Sequence, residues 1–146
     1  NAYDEWASEN ARDRETAIVT FDLNDLKYCN DTFGHAAGDK YIQDAAKLIA
    51  EVFEPAGVCY RIGGDEFVVI YPDILQQQFE FLINQLRLNA RQHHVSISCG
   101  SVWRTECMAL DEMLKEADEK MYEDKKKFYE KREHDRRRDI RRSEYM

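Results

Sequence analysis

An α/β (α+β) fold, with a central and mostly antiparallel sheet flanked by helices, is what this sequence predicts. Three observations carry that expectation. Apolar runs of strand length and segments of helical period follow one another in the order β-α-α-β-β-α-β-α. Two of the runs are separated by Gly63-Gly64, the turn chemistry of a β-hairpin. A chain of 146 residues, 43% of them hydrophobic, supplies one core and not two.

Taken in order, Asn1 to Arg14 places Tyr3, Trp6 and Ala7 at helical spacing, a short amphipathic helix whose abrupt start reads as a cut from something longer. The first strand runs from Ala17 to Leu23, an apolar run ending in Asp22-Leu23-Asn24 that delivers a carboxylate at its C-terminal end. A short helix from Asp25 to Phe33 stops at Gly34, and a second begins near Gly38 or Asp39. Tyr41, Ile42, Ala45, Leu48, Ile49, Val52 and Phe53 give that second helix one buried face, and Pro55 and Gly57 end it.

Hairpin strands follow over Val58 to Ile62 and Glu66 to Tyr71. Pro72-Asp73 opens another helix, with Leu75, Phe79, Leu82, Ile83 and Leu86 inward, reaching Arg91. The alternation of Val95, Ile97 and Cys99 makes Val95 to Trp103 a strand. A last helix begins near Ala109, with Leu110, Met113, Leu114, Ala117, Met121 and Tyr122 facing the core. Beyond Tyr129 the apolar period disappears. Glu133/Arg137 and Asp139/Arg142 sustain a solvated helix, so residues 130–146 read as a charged helical extension or frayed tail, with a partner or anionic lipid as the other use of its basic run.

Composition excludes several classes. No apolar run approaches the roughly 18 residues of a membrane span and no signal peptide opens the chain, so the reading is a soluble, cytoplasmic domain, or the cytoplasmic part of a longer protein. Cys29, Cys59, Cys99 and Cys107 lack metal-ligand spacing and read as reduced packing residues. The net charge is −8; Lys125 to Met146 holds ten Lys/Arg against five Asp/Glu, and that local +5 leaves −13 for residues 1–124. An acidic body argues against a nucleic-acid face and suits a cation-assisted phosphate site.

The chemistry concentrates at Tyr60-Arg61-Ile62-Gly63-Gly64-Asp65-Glu66-Phe67. Adjacent Asp65 and Glu66 at a hairpin tip repel one another; they are either an ordinary solvated turn or a pair compensated by a cation. A strand-end Asp22 facing a hairpin-borne Asp65 is what a hard divalent cation needs.

Asp22-x-Asn24-x-x-Lys27-x-x-Asn30-Asp31-x-x-Gly34-His35-x-x-Gly38-Asp39, then Arg61-x-Gly63-Gly64-Asp65-Glu66-Phe67, Ser98-x-Gly100 and Ala117-Asp118-x-x-Met121-Tyr122-x-x-Lys125 resemble, in order and spacing, the GGDEF family of diguanylate cyclases. The resemblance covers Ala17 to Lys125 and implies a fold similar to nucleotidyl-cyclase cores and polymerase palms. It makes residues 1–129 the catalytic domain, with its N-terminal turn motif missing. It implies that two GTP molecules, held by two domains of a homodimer, condense into cyclic di-GMP with Mg²⁺ or Mn²⁺. A sensor or regulatory domain would lie outside this chain.

Residue by residue, the resemblance puts Asp22, Asp65 and the Leu23 carbonyl on the metal. Glu66 is a further ligand or the group that orients and deprotonates the attacking 3′-hydroxyl. Lys27 and Lys125 would contact the triphosphate, with the amides of Asp25, Leu26 and Lys27 at a helix start as an anion site. Asn30 and Asp39 would read guanine, and Gly64 would keep the tip bare against substrate.

Asn24 replaces the second acid of the commoner D-x-D, which bears on one metal position, and Tyr129 stands where the family often has an Arg. An inhibitory R-x-x-D is absent at Glu54-Pro55-Ala56-Gly57. His35 and Asp118 read as structural residues, Ile42 as core or base pocket, and Arg61 as either holding the hairpin or tuning the phosphate field. The rival functions are a silent domain that binds GTP or a protein partner as a receptor, and a cyclase making a mixed purine dinucleotide.

Overall fold

The computed structural model describes residues 15–105 and 109–144. The helix expected over Asn1 to Arg14, and Cys107, lie outside them.

β1 (Thr16–Leu23) is buried along its whole length. It lies inside a four-stranded sheet of order β2-β3-β1-β4, with β2 at Val58–Arg61, β3 at Glu66–Pro72 and β4 at Ile97–Arg104. Every neighbouring pair is antiparallel. The register sets Asp22 opposite Glu66 on one side and opposite Ser98 on the other.

Because strand side chains alternate, β1 serves two layers. Ala17, Val19, Phe21 and Leu23 join Ile49, Phe53, Phe79 and Leu86 from α2 (His35–Phe53) and α3 (Gln76–Gln92). Ile18 joins Val68, Ile70 and Val102 beneath Leu110, Met113 and Ala117 of α4 (Leu110–Glu144). Each fully buried Val, Leu, Ile, Phe or Met among them contributes about 1.5–3 kcal/mol. The same alternation turns Thr20 and Asp22 toward α4.

Gly100 brings α4 down onto the sheet. A Cβ there would lie 2.0 Å from the Ala117 carbonyl oxygen and 2.4 Å from the Met121 amide. That close approach explains a glycine in Ser98-x-Gly100, which spacing alone did not.

Three boundaries differ from expectation. α1 (Leu26–Phe33) and α2 are joined by Gly34 alone, whose φ of 93° turns the chain sharply enough for α2 to begin at His35 rather than near Gly38. α3 begins at Gln76 and not at Pro72-Asp73, because Pro72 still pairs with Thr16 and the Ile74 carbonyl is held by Trp103 Nε1 at 2.7 Å. Val95 is tied to the end of α3 by its amide, 2.9 Å from the Ala90 carbonyl, so β4 starts at Ile97. Past Tyr129, α4 continues to Glu144 as a charged helical extension, with Arg137 and Glu133 pairing at 3.3 Å.

Cys29, Cys59 and Cys99 are free thiols, and burial pushes Cys59 and Cys99 up to about 11, the unreactive form expected of packing residues. Among the described residues no helix is long and apolar enough to cross a membrane.

Candidate active site

The end of β1, the tip of the β2–β3 hairpin and the middle of α4 meet at one point. The Asp65 carbonyl accepts from the Leu23 amide at 3.0 Å, which staples the tip to the strand end. Arg61 takes one of its two readings here: its Nε and Nη2 donate to the Gly63 and Gly64 carbonyls at 3.1 and 2.8 Å, holding the turn. Neither glycine uses the left-handed region. A Cβ on Gly64 would meet nothing within 4 Å, so the tip is bare above.

Asp22 is only 9% exposed. Its Oδ2 lies 2.9 Å from Lys125 Nζ, which also donates to the Leu23 carbonyl at 3.4 Å. Its Oδ1 is buried with no hydrogen-bond partner. Burial raises the Asp22 pKa to about 6; Lys125 opposes the rise and the Asp65 carboxylate adds to it. Glu66, directly across the ladder, is raised by burial, then by Asp118 and Asp65, against Lys125. Asp118 is itself raised by burial, with the Thr20 hydroxyl opposing. Asp22 and Glu66 therefore share the Lys125 ammonium, with Asp65 adding negative charge beside both, and Asp118, read from sequence as structural, adds to the field at Glu66.

The donor set fits a small divalent cation. Asp22 Oδ1 is an orphaned anionic oxygen, Asp65 is close enough to perturb its neighbour, and the Leu23 carbonyl faces the same ammonium. Among the described residues no three His, Cys, Asp or Glu side chains form a closed metal cage. A cation such as Mg²⁺ needs none, since it binds through one or two carboxylates and completes its shell with phosphate and water.

Asn24 is turned away from this cluster. Its Nδ2 donates to Ser96 Oγ at 3.1 Å and its Oδ1 accepts from Ser98 Oγ at 2.9 Å, so the amide fastens β1 to β4. The Tyr41 hydroxyl reinforces the junction, 2.9 Å from the Asn24 carbonyl and accepting from the Ser96 amide at 3.0 Å. Sequence reasoning missed this bolt, because Tyr41 reads there only as part of an apolar face.

The remaining candidates gather around α1. Lys27 is exposed in the first turn of α1, where no side chain caps the helix amides. The Asp25 amide, however, is already engaged, donating to the Tyr129 hydroxyl at 3.0 Å. Asn30 packs against Gly38, where a Cβ would come within 1.7 Å of its Oδ1. Asp39 follows Gly38 and is exposed, so Asn30 and Asp39 share the corner between α1 and α2. A groove of about 940 Å³ runs instead along α4 past Leu114, Asp118 and Tyr122 and touches the acid cluster through Glu66 and Asp118.

Comparison with known proteins agrees with this architecture. A family model described as "Diguanylate cyclase, GGDEF domain" matches residues 2–131. Over 111 residues the chain is 33% identical to the probable diguanylate cyclase DgcI of Escherichia coli (strain K12), covering 75% of this chain and 25% of that protein. It is 32% identical over 128 residues to diguanylate cyclase DgcN of the same organism, covering 81% and 31%. The chain thus spans between a quarter and a third of the length of these curated relatives. The crystal structure of the GGDEF domain of DgcB from Caulobacter crescentus, in complex with c-di-GMP, superposes with a TM-score of 0.70 at 23% identity, covering 86% of this chain and 78% of that one. At that identity the likeness speaks for the fold.

Proposed function

The chain belongs to the GGDEF diguanylate cyclase family, and from that premise we propose that it condenses two GTP molecules into cyclic di-GMP with release of pyrophosphate. The observation that carries the reading is the strand-end acid pair: a buried, partnerless Asp22 oxygen beside Asp65, with Lys125 lying across the other oxygen and the Leu23 carbonyl.

Asp22, Asp65 and the Leu23 carbonyl would hold Mg²⁺ or Mn²⁺. When bound, such an ion neutralises the phosphates and sharpens the α-phosphorus as an electrophile. Lys125 marks a place where positive charge is favoured; with the acids neutralised, its ammonium is free to face the triphosphate. Lys27 and the amides of Leu26 and Lys27 receive the outer phosphates.

Glu66 sits opposite Asp22 with its proton affinity raised by burial and by Asp118. It accepts the proton of the incoming 3′-hydroxyl. The oxygen attacks the α-phosphorus of the second GTP, the bond to the β-phosphate oxygen breaks, and pyrophosphate leaves with that electron pair. Repetition closes the ring. Asp39 accepts from the guanine ring N–H and exocyclic amine, and Asn30 bonds the base edge; adenine would leave the Asp39 carboxylate unpaired. Each copy brings one nucleotide, so the reaction takes a homodimer, and a domain outside this chain would govern pairing.

Incubation of the purified chain at high concentration with GTP and Mg²⁺, followed by mass analysis, tests the reading. Linear and cyclic dinucleotides are expected. GTP binding with neither product would make the domain a silent receptor.

A further inference from the structure

Lys125, Tyr129 and Arg132 stand at i, i+4 and i+7 of α4, one face of the helix. All three fasten onto the same short stretch of chain. Lys125 reaches Asp22 and the Leu23 carbonyl. Tyr129 accepts the Asp25 amide. Arg132 closes a two-pronged pair, Nη1 to Asp25 Oδ1 and Nη2 to Oδ2. Its guanidinium is aimed by stacking, with the Phe128 and Tyr129 ring centroids 4.8 and 5.9 Å away.

Asp25 holds a left-handed backbone (φ 66°) immediately before α1, an unfavourable conformation for a residue with a Cβ unless its surroundings impose it. Arg132 is also the first residue past the segment that the family model matches. The contact is thus a feature of this chain's helical extension.

We infer that Tyr129 and Arg132 latch the last helix to the β1–α1 loop, as positioning residues that keep the Leu23 carbonyl and the Leu26 and Lys27 amides arranged for a nucleotide's phosphates. This deepens the reading of the site as a GTP site and rests on it. A preformed loop loses little freedom when the triphosphate arrives, so the latch acts on substrate affinity and leaves the chemical step alone.

The test is Arg132→Ala in the full chain, read by steady-state kinetics and by hydrogen exchange without nucleotide. Expected are a KM for GTP raised about tenfold with kcat within about twofold, and exchange about tenfold faster at the hydrogen-bonded amides of Asp25 and Cys29, the size of a half-exposed forked pair. The β1 amides of Ile18 to Phe21 should exchange as before. Arg132→Lys should recover less than half of the loss, since a single ammonium cannot fork, and Tyr129→Phe should cost about threefold.

Unchanged exchange at Asp25 and Cys29 overturns the latch, as does an equal rise through β1 or a fall in kcat at constant KM. A wild-type chain that makes no dinucleotide overturns the functional reading instead, and the exchange measurement then decides the latch by itself.

Discussion

The acid cluster at the end of β1 and the corner between α1 and α2 are two parts of one candidate site built in opposite ways. Asp22 is buried, carries a partnerless oxygen and has a raised pKa, while Asp39 stands exposed on the helix surface. Folding assembles the first region under electrostatic tension that, on the proposed reading, a cation would relieve; the second would become organised only on arrival of a base. Substitutions at the acid end should therefore cut turnover without loss of stability, and those at the corner should alter selectivity alone.

The strongest way to break that comparison is Asp65→Ala. Product should fall by about a thousandfold or more, the scale of losing a charge-stabilising group at the reacting centre, while removal of a repulsive neighbour leaves the thermal melt unchanged or higher. Retained turnover would take Asp65 out of the metal role. Next in size is Gly100→Ala, which forces α4 off the sheet and should cost about 2–3 kcal/mol in denaturant unfolding, together with activity, because Lys125 and Asp118 ride on the same helix. A variant as stable as wild type would show that α4 does not set the acid geometry.

At the other region, Asp39→Ala should lower the preference for GTP over ATP by about ten- to a hundredfold in kcat/KM, with an unaltered melt. Selectivity that stays put would refute base reading by Asp39.

The smallest effect sharpens the comparison through pH. Asp22 has a folded pKa of about 6 against an ordinary 3.8, so the folded state holds that proton more tightly. Its contribution is favourable at low pH and is lost as pH rises from about 4 through 6. In the absence of divalent ions, Asp22→Asn and wild type should melt alike below pH 4, and the Asn variant should gain about 1–2 kcal/mol over wild type by pH 7. Added Mg²⁺ should raise the wild-type melt at pH 7 and leave Asp22→Asn where it was. A gap that closes as pH rises would reverse the assignment.

Much of this was legible in the letters, for reasons of local chemistry. A strand buried on both faces shows itself as an unbroken apolar run, so β1 and the carboxylate at its end could be placed without coordinates. Boundaries set by long-range ties could not. Nothing within Val95-Ser96 says that Val95 is held by Ala90, and nothing near Pro72 says that it still pairs with Thr16. The tail was legible only as a charged helix or a frayed end, because the turns beyond Tyr129 have little of the apolar face that usually marks a helix. What fastens the start of that extension is a charge pair with Asp25, 107 positions away in the chain.

The sequence by itself determined the element order, the acids and their placement at a strand end and a hairpin tip, because periodicity and turn residues are short-range properties. Only the tertiary structure decided that Lys125 lies on Asp22, that Asp118 joins the acid field, that Asn24 is committed to β4, and that Tyr129 and Arg132 clasp Asp25. Those are encounters between segments far apart in the chain. Electrostatic energy depends on separation in space and on the water excluded between the groups, and neither quantity is written in the spacing of the letters.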